Sequence, residues 1–154
     1  MSLRWAQIAL RAVGIVAILL ATGGFLYTAA YLYAVASGGI DQLAVEAGTP
    51  YVHTAFYVMA SACITFYAVL LLCGIQFVRL RSSLWWLFIA VLVSEVIYYL
   101  LIGWLWSHST LGSSIAGASG ISSGGLVFQF VLLFPFWAPI IVWLARRSQI
   151  RHAP

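Results

Sequence analysis

One carboxylic acid, Glu95, lies at the centre of the uncharged segment 84–106. No arginine or lysine lies inside any of the long apolar segments of the chain to neutralise it. Because a charged carboxylate is costly to remove from water, we expect Glu95 to be protonated. A protonated acid is both a hydrogen-bond donor and an acceptor, so it requires polar partners nearby.

Helical spacing indicates which residues share a face with this acid. Tyr98 and Tyr99 follow Glu95 by three and four positions, whereas Leu92 and Phe88 precede it by three and seven. Residues at these spacings lie above and below one another on an α-helix. We therefore expect an aromatic stripe around the acid, and we expect that stripe to face other helices.

Polar residues in the other apolar segments fall at a similar depth. Counting from the segment centres places Thr22 and Thr65 level with the acid, with Ser61 one turn farther out. In the last segment Pro135 lacks an N–H, which leaves the carbonyl of Val131 free to accept a hydrogen bond. The sequence thus predicts a functional polar layer that comprises Glu95, Tyr98, Tyr99, Thr65, Ser61, Thr22 and Gln129.

Three interpretations of Glu95 remain open at this stage. The acid could fix the register of the helices by hydrogen bonds within the chain. It could instead contact another chain or a cofactor. Finally, it could act directly in binding, proton movement or catalysis, as ionisable residues within membrane segments often do. The absence of a second acid at the same depth argues against a proton relay.

Histidines near the segment ends could contribute to a metal site. His53 and His108 lie at the ends of two apolar segments, on the same side as Asp41 and Glu46. Imidazole and carboxylate groups are common metal ligands, but no HxxxH or HExxH spacing is present. We therefore predict no metal, no cofactor and no catalytic residue.

The composition is that of a membrane protein. Of the 154 residues, 64% are hydrophobic and only 6% are charged, and the mean hydropathy is +1.07. Soluble domains carry about 25% charged residues, so ten charges would not solvate a surface of this size. The length fits a single transmembrane domain over residues 1–154. The basic residues are not interleaved with aromatics on a polar fold, so we expect no nucleic-acid partner.

Four segments are long enough to cross a bilayer, which requires about 20 apolar residues per helix. They run over about 12–36, 51–78, 84–106 and 125–145. The first is longer than the apolar core of a signal peptide, which spans about 7–15 residues, so we expect a retained span. The predicted fold is all-α, a polytopic bundle of four transmembrane helices.

The arginines set the expected orientation. All seven basic residues are arginine, and they precede the first segment, separate the second from the third, and follow the fourth. With four spans these places share one side, which the positive-inside rule makes cytoplasmic. Both termini are therefore expected in the cytoplasm, and the arginine bias favours a bacterial inner (plasma) membrane.

Two outer connections differ in character. Apolar residues at helical spacing predict a short interfacial helix within 37–49. The second connection, 107–124, is rich in serine and glycine, which favours a flexible loop; a re-entrant segment is the alternative.

Small residues recur on one face of the first segment. Ala17, Ala21, Gly24 and Thr28 form a strip of the kind that allows close helix packing. Gly14 adds small-residue character without completing the motif.

The sequence favours a non-catalytic role. Few residues lie outside the spans, and no nucleotide or nucleophile motif is present. We expect an accessory, assembly or interaction subunit that contacts membrane lipids and other membrane subunits, or that forms a homo-oligomer. Two alternatives remain: a small oligomeric transporter or channel subunit that uses Glu95, and a lipid-phase binder or enzyme in which Glu95 is the acid.

Overall fold

The computed structural model describes residues 3–37, 52–107 and 126–151. These ranges contain four α-helices and no strand. The helices are α1 (Leu3–Ala36), α2 (Val52–Val78), α3 (Trp85–Ser107) and α4 (Leu126–Arg151). The all-α prediction is therefore confirmed. The predicted interfacial helix and the serine-rich connection fall on 38–51 and 108–125, outside the described residues.

Two helices extend beyond the predicted apolar segments. α1 begins at Leu3 rather than near residue 12, because its first turns are amphipathic: Ala6 and Leu10 are fully buried whereas Arg4 and Arg11 are exposed. The core therefore continues past the uniformly apolar run. α4 likewise continues to Arg151 and runs through two internal prolines.

The helices pack as an antiparallel ring. α1 lies against α2 and α4, and α3 lies against the same two helices. Gly14 of α1 contacts Gly74 of α2, whereas Gly24, later in α1, contacts Tyr67, which is earlier in α2. This reversed order shows that α1 and α2 run in opposite directions.

The other neighbours are also antiparallel. The end of α2 meets the start of α3, where the rings of Phe77 and Phe88 lie 5.0 Å apart at 75°. Ser82, just before α3, donates a hydrogen bond of 3.2 Å to the side-chain carbonyl of Gln149 near the end of α4. The bundle therefore has an up-down-up-down topology.

One buried stripe on each helix forms the core. Each stripe recurs at the three- and four-residue spacing that places side chains on a single helical face. The core residues are Ala6, Leu10, Val13, Ala17 and Ala21 of α1, Leu70, Cys73 and Phe77 of α2, Trp85, Phe88, Val91 and Leu92 of α3, and Phe134, Ala138, Val142 and Ala145 of α4.

α1 and α2 approach each other closely at a pair of glycines. A Cβ atom on Gly14 would lie 2.8 Å from the carbonyl oxygen of Gly74, and a Cβ on Gly74 would lie 2.9 Å from that of Gly14. Ala17 continues the contact, because a Cβ on Gly74 would lie 3.2 Å from the Ala17 Cβ. The small-residue face predicted on α1 is thus in close contact with α2. Gly24, a member of the predicted strip, packs directly against the Tyr67 ring, and Gly14, which was left out of the strip, packs against the backbone of Gly74.

The turn after α2 closes with a residue in the left-handed conformation. Leu80 has φ 62°, its N–H donates to the Phe77 carbonyl, and the Arg81 N–H donates to the Gln76 carbonyl. These two hydrogen bonds define a Schellman motif, in which glycine is the usual residue.

Two helical segments are long and apolar enough to cross a membrane, Leu3–Ala30 and Ala60–Val78, and Trp85–Ile97 forms a shorter apolar helix. The outward faces of the helices carry large apolar side chains. Leu19, Leu26, Val58, Leu72 and Ile140 are all exposed.

Candidate functional site

Glu95 lies at the edge of the closed core. Phe88 precedes it by two helical turns on the same face and is fully buried, and Leu92, one turn away, is 1% exposed. Helical phase therefore directs the Glu95 side chain toward the bundle. The side chain is nevertheless only half-buried in the structure described for this chain.

The residues beside Glu95 on α3 face away from the core. Val93 is 52% exposed, Ile97 is 51% exposed, and Ser94 is also exposed. The acid therefore sits at the border between the packed face of α3 and an open, mostly apolar face.

Three hydroxyl residues of the predicted polar layer lie at exposed positions. These are Thr22, Ser61 and Thr65. The Ser61 hydroxyl donates to the Tyr57 carbonyl at 2.8 Å, and the Thr65 hydroxyl donates to the Ser61 carbonyl at 2.9 Å. Both hydroxyls are thus satisfied by the preceding turn of their own helix, as is common for such residues in apolar helices.

The remaining members of the layer belong to helices, but their side chains lie outside the described part of the chain. Tyr98 and Tyr99 are in α3, and Gln129 is in α4. A joint site of these residues with Glu95 therefore stays a prediction.

No group of three or more potential metal ligands occurs among the described residues. The histidine interpretation depends on His108, Asp41 and Glu46, which fall on 38–51 and 108–125. The prediction that no metal binds there is therefore untested by the described residues.

A second feature of the bundle is the cluster of arginines at one end. The start of α1, the end of α2 and the end of α4 lie together because the helices are antiparallel, and these ends carry all seven arginines. The positions are Arg4, Arg11, Arg79, Arg81, Arg146, Arg147 and Arg151.

An open groove occurs at this basic end. Its volume is ≈ 410 Å³, and it is lined by Trp85, Trp143, Arg146, Arg147 and Ile150. The guanidinium carbon of Arg146 lies 4.4 Å from the centroid of the Trp85 ring, and that of Arg147 lies 5.3 Å from the Trp143 ring. Both distances are within the range of cation–π interactions.

This groove was not predicted from the sequence. Trp143, Arg146 and Arg147 occur at spacings of three and four, which places them on one helical face. This spacing could have indicated the α4 side of the groove from the sequence alone. The contribution of Trp85 could not be predicted in this way, because it depends on the packing of α3 against α4.

No known protein family matches the chain, and no curated protein or solved structure is significantly similar to it. The fold defines the class only to the level of an all-helical bundle with two helices apolar enough to span a membrane.

Proposed function

We propose that this chain is a four-span integral membrane protein that serves as an accessory or interaction subunit of a larger membrane assembly. The exposed apolar faces of all four helices support the membrane location, since a soluble bundle would carry charges there. The shared basic end supports a cytoplasmic position for both termini, in a bacterial inner membrane.

The half-buried position of Glu95 is the main observation that supports the interaction role. A carboxyl group near the bilayer centre is costly on every transfer scale, about 2.5–3.5 kcal/mol by insertion measurements on acidic and basic residues. The partial cover of Glu95 by the described residues leaves part of that cost unrelieved. A second transmembrane segment that packs on the open side and hydrogen-bonds the acid removes it.

The surface around Glu95 fits such a contact. Val93 and Ile97 flank the acid on the open side of α3 and offer apolar area, while the acid offers a hydrogen bond. In a bilayer, van der Waals packing together with a few interhelical hydrogen bonds drives association of helices. The partner is therefore a transmembrane helix, contributed by another subunit or by a second copy.

Photocrosslinking in native membranes tests the proposal. Benzoylphenylalanine at Val93 is expected to give one discrete product, and the same probe at Ile140, exposed on α4, is the control position. In the Val93 background, Glu95→Gln is expected to keep the product, because an amide can still hydrogen-bond. Glu95→Leu is expected to lose it.

The mass of the product distinguishes a homo-oligomer from a complex with another subunit. The proposal fails if Val93 and Ile140 give the same diffuse products. It also fails if the Val93 product survives Glu95→Leu at full yield.

A further inference from the structure

We propose that the groove at the basic end binds the headgroup of an anionic phospholipid. The inference rests on the proposed membrane location and concerns a site far from Glu95. The groove lies between the start of α3 and the last turns of α4, at the end of the bundle where the helices would leave the bilayer. A lipid phosphate of the same leaflet lies at this level.

The groove is positively charged, and no acidic side chain among the described residues lies beside its arginines. Arg146 and Arg147 line it, and Glu95, in the middle of α3, is the only carboxylate among the described residues. The two other acids of the sequence, Asp41 and Glu46, lie in the stretch that joins the opposite ends of α1 and α2. The described residues therefore leave these guanidinium groups without an acidic partner, and the groove favours an anion from outside the chain.

The arginine side chains are also held in place. Arg146 rests on Trp85, which is 8% exposed and part of the core, and Arg147 rests on Trp143. A planar guanidinium donates paired hydrogen bonds to phosphate oxygens, so ordering it before binding lowers the entropic cost.

The apolar part of the groove favours a lipid over a free anion. Ile150 is 63% exposed and Trp143 is 45% exposed beside the arginines. These side chains offer contact to the glycerol and the first methylene groups of an acyl chain. Inorganic phosphate would use only the guanidinium groups, and its binding would be correspondingly weak.

Native mass spectrometry of the intact protein in detergent provides the test. Dioleoylphosphatidylglycerol and dioleoylphosphatidylcholine are titrated separately, and inorganic phosphate is titrated alone. The wild-type protein is expected to retain one phosphatidylglycerol in preference to phosphatidylcholine. The double variant Arg146→Gln/Arg147→Gln is expected to weaken that preference roughly tenfold, since each basic residue near an anionic lipid contributes favourably.

A matched control removes the same charge at the same end. Arg79 and Arg81 are both exposed and lie outside the groove. The Arg79→Gln/Arg81→Gln variant is therefore expected to keep the preference. Trp143→Leu, at an exposed position with all arginines present, is expected to reduce lipid retention and serves if the groove double variant does not fold.

Several results would overturn the site. One is an equal loss of preference in the two double variants, which would indicate general surface charge. Others are equal binding of both lipids by the wild-type protein, or phosphate binding as tight as phosphatidylglycerol binding. Resistance of the protein to alkaline extraction from membranes is measured in parallel. Extraction of the wild-type chain would contradict the membrane location itself, whereas retention with no lipid preference would contradict only the groove.

Discussion

Gly14 of α1 and Gly74 of α2 lie against each other so closely that neither position has room for a side chain. A Cβ on Gly14 would also lie 2.9 Å from the backbone nitrogen of Val78, so the obstruction is backbone and cannot rotate away. The pair therefore sets the distance between the two helices at the basic half of the bundle.

Gly14→Ala is expected to destabilise the protein because the added methyl group meets the Gly74 carbonyl. Gly23→Ala is the matched control, since a Cβ at Gly23 meets nothing within 4 Å. Both changes gain similar helix propensity, so the difference between them isolates the helix contact. We expect Gly14→Ala to be less stable than Gly23→Ala by about 1–3 kcal/mol, the usual cost of overpacking. Reversible unfolding in mixed SDS and dodecyl maltoside micelles measures it, and equal stabilities would contradict the contact.

Phe88→Ala is expected to lower stability by about 3–5 kcal/mol, the cost of deleting a buried aromatic ring. Phe88 is fully buried and packs edge-on against Phe77 and against Phe134, at centroid distances of 5.0 and 6.1 Å. Phe136→Ala makes the same chemical change at a 62% exposed position of α4 and should have a much smaller effect. Chemical unfolding followed by far-UV circular dichroism gives both values. A comparable loss in the two variants would show that the aromatic cluster is not the centre of the core.

Leu80→Gly is expected to be more stable than Leu80→Ala, because Leu80 has positive φ and only glycine adopts that conformation without strain. The left-handed conformation costs a non-glycine residue about 1–2 kcal/mol, which sets the size of the difference. At Ala90, an exposed position within α3, the order should reverse, and Ala90→Gly should cost about 0.5–1 kcal/mol. The same unfolding assay applies. If glycine is the worse residue at both positions, the Schellman motif is not formed.

Cysteine labelling tests the proposed orientation. In a background of Cys63→Ala and Cys73→Ala, a thiol is introduced by Ser37→Cys or by Ser83→Cys, at positions that are both exposed. Ser37 follows α1 at the end opposite the arginines, and Ser83 lies between α2 and α3 at the basic end. An impermeant maleimide is expected to label the Ser37→Cys variant on intact cells and the Ser83→Cys variant only after permeabilisation. The reverse pattern would place the arginines outside.

The helices were predictable from the sequence because apolar length alone identifies them. Each of the four predicted segments overlaps one helix of the structure, and two of these helices are longer than the prediction. The amphipathic start of α1 was not predictable in the same way. Ala6 and Leu10 are buried there beside exposed arginines, and a search for uniformly apolar runs stops at the first charge.

The sites were less predictable than the helices. The position of Glu95 in the middle of α3 follows from sequence, but its partial cover depends on how far the core extends past Leu92. Depth counting placed Thr22 and Thr65 level with the acid, yet depth does not determine which way a side chain points. Both residues are exposed in the structure. The Trp85–Arg146 stack joins residues of two helices, and no local pattern encodes that pairing.

The edge-to-face packing of Phe77, Phe88 and Phe134 has a consequence for the passage of ions or water through the bundle. They join α2, α3 and α4 in the basic half of the bundle, with exposures of 0%, 0% and 2%. An ion that moved along the axis of one copy would meet these three buried rings and would have to give up its hydration shell there. This packing disfavours an axial pore through the described part of a single copy.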